Sequence, residues 1–311
     1  MTTLGNNHLA KQLVNHLYDG NQPDIKGHRV NHAKGILLTG SFIPSKQARQ
    51  YSSALHFSQT TPVIVRLSNS TGIPNIEDQN PRASPRGIAI RFLLPEQQHT
   101  DLVGHSVEAF PADTPEEFGR FLEIANQANI NPKLFNQYIA EHPATQRFFS
   151  LLGTTPQSYA TTPFYPLHTF KFINDQHKVT IGRYQIQPLL SIHNLSTVEA
   201  KQKDKNFLQQ ELVQHLKTKP VQYKLILQIA NSEDNLMHIS QPWDGKHQMI
   251  ELGTLNLTTI LNNQSITDQA LLFDPTHLTA GIDSVNDPMF VVRSPAYQLS
   301  AIRRRGEANQ H

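Results

Sequence analysis

Pro62-Val63-Ile64-Val65-Arg66-Leu67-Ser68 is the stretch whose reading decides the fold. Its β-branched and aliphatic residues favour a pleated strand over a helix. Residues 70–86 follow, rich in Gly, Pro, Asn and Asp, and read as a long loop. Gly87-Ile-Ala-Ile-Arg-Phe-Leu-Leu94 is then a second strand of the same kind. Working outward, further strands are expected from His32 through Ile36-Leu-Leu38 and over residues 102–110, 221–230 and 249–257. Residues 168–173 and 178–187 form a hairpin across a polar turn.

Helices interrupt these runs. Residues 8–18 are amphipathic, with Gly20 and Pro23 closing the helix. Thr114-Pro115-Glu116-Glu117 is the clearest helix start, with a capping threonine, a first-turn proline and a glutamate that can complete a capping box. Residues 132–140 and 144–152 read as short helices, 197–217 as a long one and 295–305 as a terminal one; 45–56 are ambiguous. Regular β-α-β spacing is missing, which disfavours a doubly wound sheet. The expectation is an α+β chain: a large antiparallel barrel with helical excursions, in a single domain over 1–311.

Composition narrows the function. The 311 residues carry 27 basic and 25 acidic side chains, a balance that gives nucleic acid no strong basic face. Cysteine is absent, which excludes disulfides, thiol catalysis, thiolate-ligated haem and cysteine-ligated iron–sulfur clusters. No apolar run of about 18 residues suggests a membrane span. The first residues lack a signal-peptide core. A cytoplasmic location is expected, periplasmic only if a signal peptide has been removed. Dinucleotide, P-loop, H-E-x-x-H and G-x-S-x-G signatures are absent.

Taken singly, the polar residues leave two readings each. His32, in Arg29-Val-Asn-His32-Ala-Lys-Gly35, is either structural or a general acid–base. Arg66 and Ser68 share one strand face, either solvated or turned toward an anion and an imidazole. Tyr297 is either a buried aromatic or a haem ligand through its phenolate, with Arg293 one helical turn away favouring the ionised form. Arg303-Arg304-Arg305 is either a solvated helix end or a source of a cofactor contact; Arg304 lies two turns past Tyr297.

In combination the segments resemble the haem catalase superfamily, and more closely its shorter branch of catalase-related peroxidases. The matching pieces are Arg29-Val-Asn-His32-Ala-Lys-Gly35, Val65-Arg66-Leu-Ser68, Ser84-Pro-Arg86-Gly87-Ile-Ala-Ile-Arg-Phe92 and Asp101-Leu-Val-Gly104. Phe273-Asp-Pro-Thr, Asp287-Pro288 and Arg293-Ser-Pro-Ala-Tyr297 complete the set in order along nearly the whole chain. The resemblance implies an eight-stranded antiparallel β-barrel with surrounding helices, binding haem b. It implies that His32 is the distal acid–base residue with Ser68 assisting, and Tyr297 the iron ligand beside Arg293. Arg29, Arg66 and Arg304 would meet the haem propionates, and Phe110 would belong to the distal wall.

One departure separates this chain from the large catalases. Where they carry Gly-Asn-Asn, it has Gly104-His105-Ser106, with Ser106 at the place of the distal asparagine. A serine lacks the amide donor. The C-terminal helical domain of the large enzymes also has no room here. Both features point to peroxidase action on hydrogen peroxide or an organic hydroperoxide with a small organic electron donor, and to weak or no catalase activity. The alternatives are a haem enzyme that rearranges fatty hydroperoxides and a carrier of haem or another apolar ligand. A homodimer is the expected assembly; neither nucleic acid nor membrane is an expected partner.

Overall fold

A computed structural model describes residues 3–20 and 27–308. Nine strands form one sheet in the order β4-β3-β2-β1-β8-β7-β6-β5-β9. In chain order they are β1 (Gly35–Pro44), β2 (Thr61–Ser68), β3 (Gly87–Leu93), β4 (His99–His105), β5 (Thr169–Ile173), β6 (Val179–Pro188), β7 (Val221–Ile229), β8 (Met249–Ile260) and β9 (Ile282–Ser284). Every neighbouring pair is antiparallel. The sheet curls until its two ends meet. At the end of β4 the main chain of His105 exchanges hydrogen bonds of 2.8 and 3.3 Å with Tyr165. At its start the Asp101 amide donates to the His277 carbonyl at 3.2 Å, on the segment leading into β9. The expected eight-stranded barrel is therefore present, with a ninth strand of three residues along one edge.

Alternation explains the interior. Val63, Val65 and Leu67 of β2, Ile88, Ile90 and Phe92 of β3, and Leu225 and Leu227 of β7 all enter one hydrophobic core. Burying each such side chain contributes roughly 1.5–3 kcal/mol. The opposite face of β2 is exposed at Pro62 but covered toward its end: Arg66 is 3% exposed and Ser68 4%. Chain outside the barrel covers that face.

The helices are α1 (Thr3–Asp19), α2 (Pro115–Ala125), α3 (Pro132–Glu141), α4 (Pro143–Leu151), α5 (Thr197–Lys201), α6 (Phe207–Leu216), α7 (Gln264–Ala270) and α8 (Arg293–Ala308). Thr114 caps α2 by accepting from the Glu117 amide at 3.2 Å, while the Glu117 carboxylate reaches back to the Asp113 amide. Leu13, Phe121, Leu122, Tyr138 and Val292 form a second core that ties α1 and α2 to the turn before α8.

Several expectations are corrected. The strand expected from His32 begins at Gly35, because His32 adopts a left-handed φ of 58° and closes a turn instead. The strand expected over 102–110 is shifted to His99–His105, ending where the chain bridges to Tyr165. The long helix over 197–217 is two helices. Ser196 and Glu199 cap α5 reciprocally, and Asp78 arrives from the loop before β3 to accept from the Leu208 amide at 2.9 Å in the first turn of α6. Helix α7 and strand β9 lie in segments that carry no periodic signal. Pro23, expected to close α1, lies outside the described residues.

Asp78 also binds Lys34 Nζ at 2.7 Å and the Asn69 amide at 2.7 Å, and both charges are buried, at 6% and 0% exposure. Asn69 in turn accepts from Arg86 and from the Tyr159 hydroxyl. This network fixes the loop that follows β2. Asp78→Ala strands Lys34 without its counter-charge and removes the α6 cap, so thermal or urea unfolding is expected to show a loss of about 3–5 kcal/mol.

Candidate active site

The site is assembled on the polar face of β1–β4. Gly35, Ser68, Gly87 and His105 are paired in succession across the four strands, so they form one rung. Two positions of that rung must lack a side chain. A Cβ at Gly87 would stand 2.7 Å from both His32 Nδ1 and Ser68 Oγ, and one at Gly35 would stand 2.5 Å from the Arg66 guanidinium carbon. The imidazole of His32 thus lies over Gly87, with its Nδ1 3.2 Å from Ser68 Oγ. The turn is held by Asn31, whose side-chain oxygen accepts from the His32 and Thr71 amides, and by Arg66, which donates to the His32 and Ala33 carbonyls.

His32 is held neutral. Desolvation, then the positive charge of Arg66, lowers it to about 3, against a hydrogen bond to the main chain at Asn69 that works the other way. His105 is lowered to about 4, chiefly by burial and then by Arg293. It therefore stands within electrostatic reach of His32 on one side and of Arg293 on the other.

Arg293, Tyr297 and Arg304 lie on α8. Arg293 Nη2 donates to the Tyr297 hydroxyl oxygen at 2.6 Å, and Arg293 Nη1 is 2.8 Å from His168 Nε2. Since guanidinium only donates, His168 accepts there, and its Nδ1–H points to Asp287 at 2.8 Å. Burial raises the Asp287 carboxyl, but His168 and the Phe290 amide outweigh it and leave it below the usual range. Asp287 also accepts from the Phe290 amide at 3.0 Å, which sets the turn entering α8. The result is a line of hydrogen bonds from Asp287 through His168 and Arg293 to the phenol.

Arg29 and Arg66 converge on Asp268 of α7. Arg66 Nε binds its carboxylate at 2.7 Å and Arg29 Nη2 at 3.0 Å. Burial pushes this carboxyl up, yet the two guanidiniums hold it at about 2. Arg304 donates to the Gln269 and Leu271 carbonyls, both at 3.1 Å, and its buried Nε has no partner among the described residues. Two guanidiniums bind one carboxylate, a third lies within its electrostatic reach, and a buried donor of that third remains unspent. That combination fits a ligand carrying carboxylates of its own, as haem does.

The structure places Ser106 and Phe110 differently from these groups. Ser106 Oγ accepts from the Arg86 amide at 2.9 Å, so it is tied to the main chain before β3. Phe110 packs with Phe118 at a ring distance of 4.7 Å and lies 6.3 Å from the ring of His105. His105, His168, Asp268 and Asp287 are the members of the site that sequence reasoning missed. His168 and Arg293 are separated by 125 residues, and Arg66 and Asp268 by 202, so no local spacing marks them. A buried arginine's need for a counter-charge was the available signal for Asp268.

Comparison with known proteins agrees with this geometry. The sequence model of the catalase family matches residues 7–311. A catalase-related peroxidase of Mycolicibacterium paratuberculosis is 31% identical over 291 residues, covering 92% of this chain and 91% of that one. One from Synechococcus elongatus is 30% identical over 286 residues, covering 89% and 84%. A solved bacterial catalase superimposes with a TM-score of 0.80 at 22% identity, over 89% of this chain and 57% of its own, and shows the shared fold. The family match and these relatives define a haem oxidoreductase. The chain belongs to the catalase family. Among the described residues no helix is long and apolar enough to cross a membrane.

Two predictions follow from the site's packing. Gly87→Ala drives a methyl into His32 and Ser68; peroxide consumption is expected to fall by about 10²-fold while far-UV circular dichroism is retained. His32, His56 and His105 are held at about 3, 3 and 4 against an ordinary value of 6.5. Their folded values lie below the unfolded one, so the unfolded chain binds more protons between these limits. Stability is therefore complete above about pH 6.5 and declines as pH falls toward 4. Thermal melts at pH 7 and 4.5 read this, and His56→Phe should shallow the slope.

Proposed function

We propose that this chain is a peroxidase that reduces hydrogen peroxide or an organic hydroperoxide with a small organic electron donor, with weak or no catalase activity. The observation that carries the reading is the 2.6 Å donation from Arg293 to the Tyr297 hydroxyl oxygen, backed by His168 and Asp287. A guanidinium aimed at a phenol oxygen suits a tyrosine that ligates iron as phenolate. Arg29, Arg66 and Arg304 would hold the propionates. Without cysteine the cofactor has no thioether attachment, which supports haem of the b type. The same reading takes 1–311 as one haem-binding domain.

When bound, haem supplies the iron and porphyrin electrons with which the peroxide O–O bond is reduced. The chain supplies position and protons. His32, neutral at working pH, would accept the proton from the near peroxide oxygen and return it to the departing one, which leaves as water from hydrogen peroxide or as an alcohol from an organic hydroperoxide. Ser68 keeps the ring in register for both transfers by engaging Nδ1, so that Nε2 faces the substrate. Phe110 closes the apolar wall.

Ser106 decides between peroxidase and catalase. Its hydroxyl accepts from the Arg86 amide, so this short side chain is a poor holder for a second peroxide. Reduction then passes to an organic donor in one-electron steps.

Tyr297→Phe is the direct test. The variant is expected to lose its Soret band on gel filtration and its peroxide-dependent oxidation of a dye donor. Full haem retention and turnover in that variant would overturn the ligand assignment. Oxygen evolution from peroxide alone, at a rate matching dye oxidation, would overturn the preference for an organic donor.

A further inference from the structure

A second group of side chains converges at the barrel seam, away from the peroxide site. His99 and Asp101 stand two apart on β4 and share a face; His277 comes from the segment that leads into β9, the opposite edge of the sheet. His99 Nε2 and His277 Nδ1 face each other at 2.8 Å, with their rings 80° apart. Asp101 Oδ2 lies 4.0 Å from His99 Nε2, and the three donor atoms are all within 4.8 Å of one another.

We propose that His99, His277 and Asp101 form a binding site for a divalent transition metal ion of the zinc class, which staples the two edges of the barrel. Zinc bonds to nitrogen and carboxylate oxygen are about 2.0–2.2 Å, so tetrahedral donors stand roughly 3.4 Å apart. The 2.8 and 4.0 Å separations lie on either side of that distance. The facing imidazole nitrogens share one proton, and an ion replaces it by taking both lone pairs.

Asp101 is aimed from behind. Its Oδ1 accepts from Arg91 Nε at 2.8 Å, and its Oδ2, the oxygen facing His99, accepts from Arg91 Nη2 at 2.7 Å and from the Asp274 amide at 2.9 Å, one of which an ion would displace. Such outer hydrogen bonds orient a ligating carboxylate. Arg91 also offsets the carboxylate charge, so affinity is moderate and rests on the two imidazoles. Calcium and magnesium, which take oxygen ligands, are excluded by that donor set.

Other bonds cross the seam beside this cluster, among them one from Arg91 to the Leu272 carbonyl. Thr100 Oγ1 and the Asp101 amide both donate to the His277 carbonyl. The neighbouring Asp274 carboxylate accepts from Ser294 Oγ at 2.6 Å, in the first turn of α8. An ion here would therefore brace the helix that carries Tyr297 as well as the seam.

The test is calorimetric titration of Zn2+ into the untagged, haem-loaded full chain, with thermal melts in the same buffer. One binding event of about one ion per chain is expected, with a Tm rise of about 2 °C or more in excess Zn2+ that a chelator reverses. His277→Gln removes an exposed imidazole and keeps the main-chain bonds, so it should fold normally and lose both the event and the Tm rise. His99→Gln should do the same. Equal zinc binding by wild type and both variants would overturn the site, as would a wild-type Tm indifferent to the ion. An equal Tm rise with Mg2+ would overturn the assigned class.

Discussion

Arg66 is the side chain on which the polar half of this structure depends. It leaves β2 on the face opposite Val65 and Leu67 and is buried all the same. A guanidinium in that position must spend its donors. Two go to the His32 and Ala33 carbonyls, and two more to Asp268. One residue thus ties the left-handed turn at His32 to the barrel wall and to α7. A non-glycine residue at a φ of 58° is costly, and these bonds, with those of Asn31, over-determine the turn. Gly35 is the matching concession: any side chain there would displace the guanidinium.

The two sides of the candidate site use the same device, a guanidinium locked by several partners and placed behind another side chain. On α8 the charge is Arg293, steadied by His168 and Asp287 and pointed at the phenol. Near β2 it is Arg66, which helps to keep His32 neutral. Both arginines act through position, since each is locked by several partners before any substrate arrives. His105 lies between the two electrostatic regions, at the end of the strand whose bridge to Tyr165 helps close the barrel.

Elements that depend on local pattern were legible in the sequence. The alternation in β2 and β3 predicts their burial, and Thr114 to Glu117 announces α2 almost to the residue. The alternation also separated Arg66 and Ser68 from the core positions, but could not tell a solvated face from one covered by distant chain. The break between α5 and α6 was hidden for the same reason, since Asp78 comes from 130 residues away. Tyr297, Arg293 and His32 were found as separate segments whose joint meaning came from a family resemblance. His168 lies in a run that reads as ordinary strand, and Asp287 was seen only as part of a matching segment; folding brings both to Arg293.

The pairing of β1 with β8 has a consequence for how the molecule is made. β1 sits in the middle of the sheet, between β2 and β8, so one of its edges waits until residues up to 260 have been synthesised. Helix α8, which packs against α1, emerges later still. During translation the growing chain carries β1–β4 as a sheet with one exposed inner edge, and Arg66, which holds the His32 turn, waits for its counter-charge Asp268. The candidate site is consequently assembled only after α7 and α8 have been made. Chaperone dependence and aggregation during expression should trace to that long interval in which an apolar strand waits for its partner.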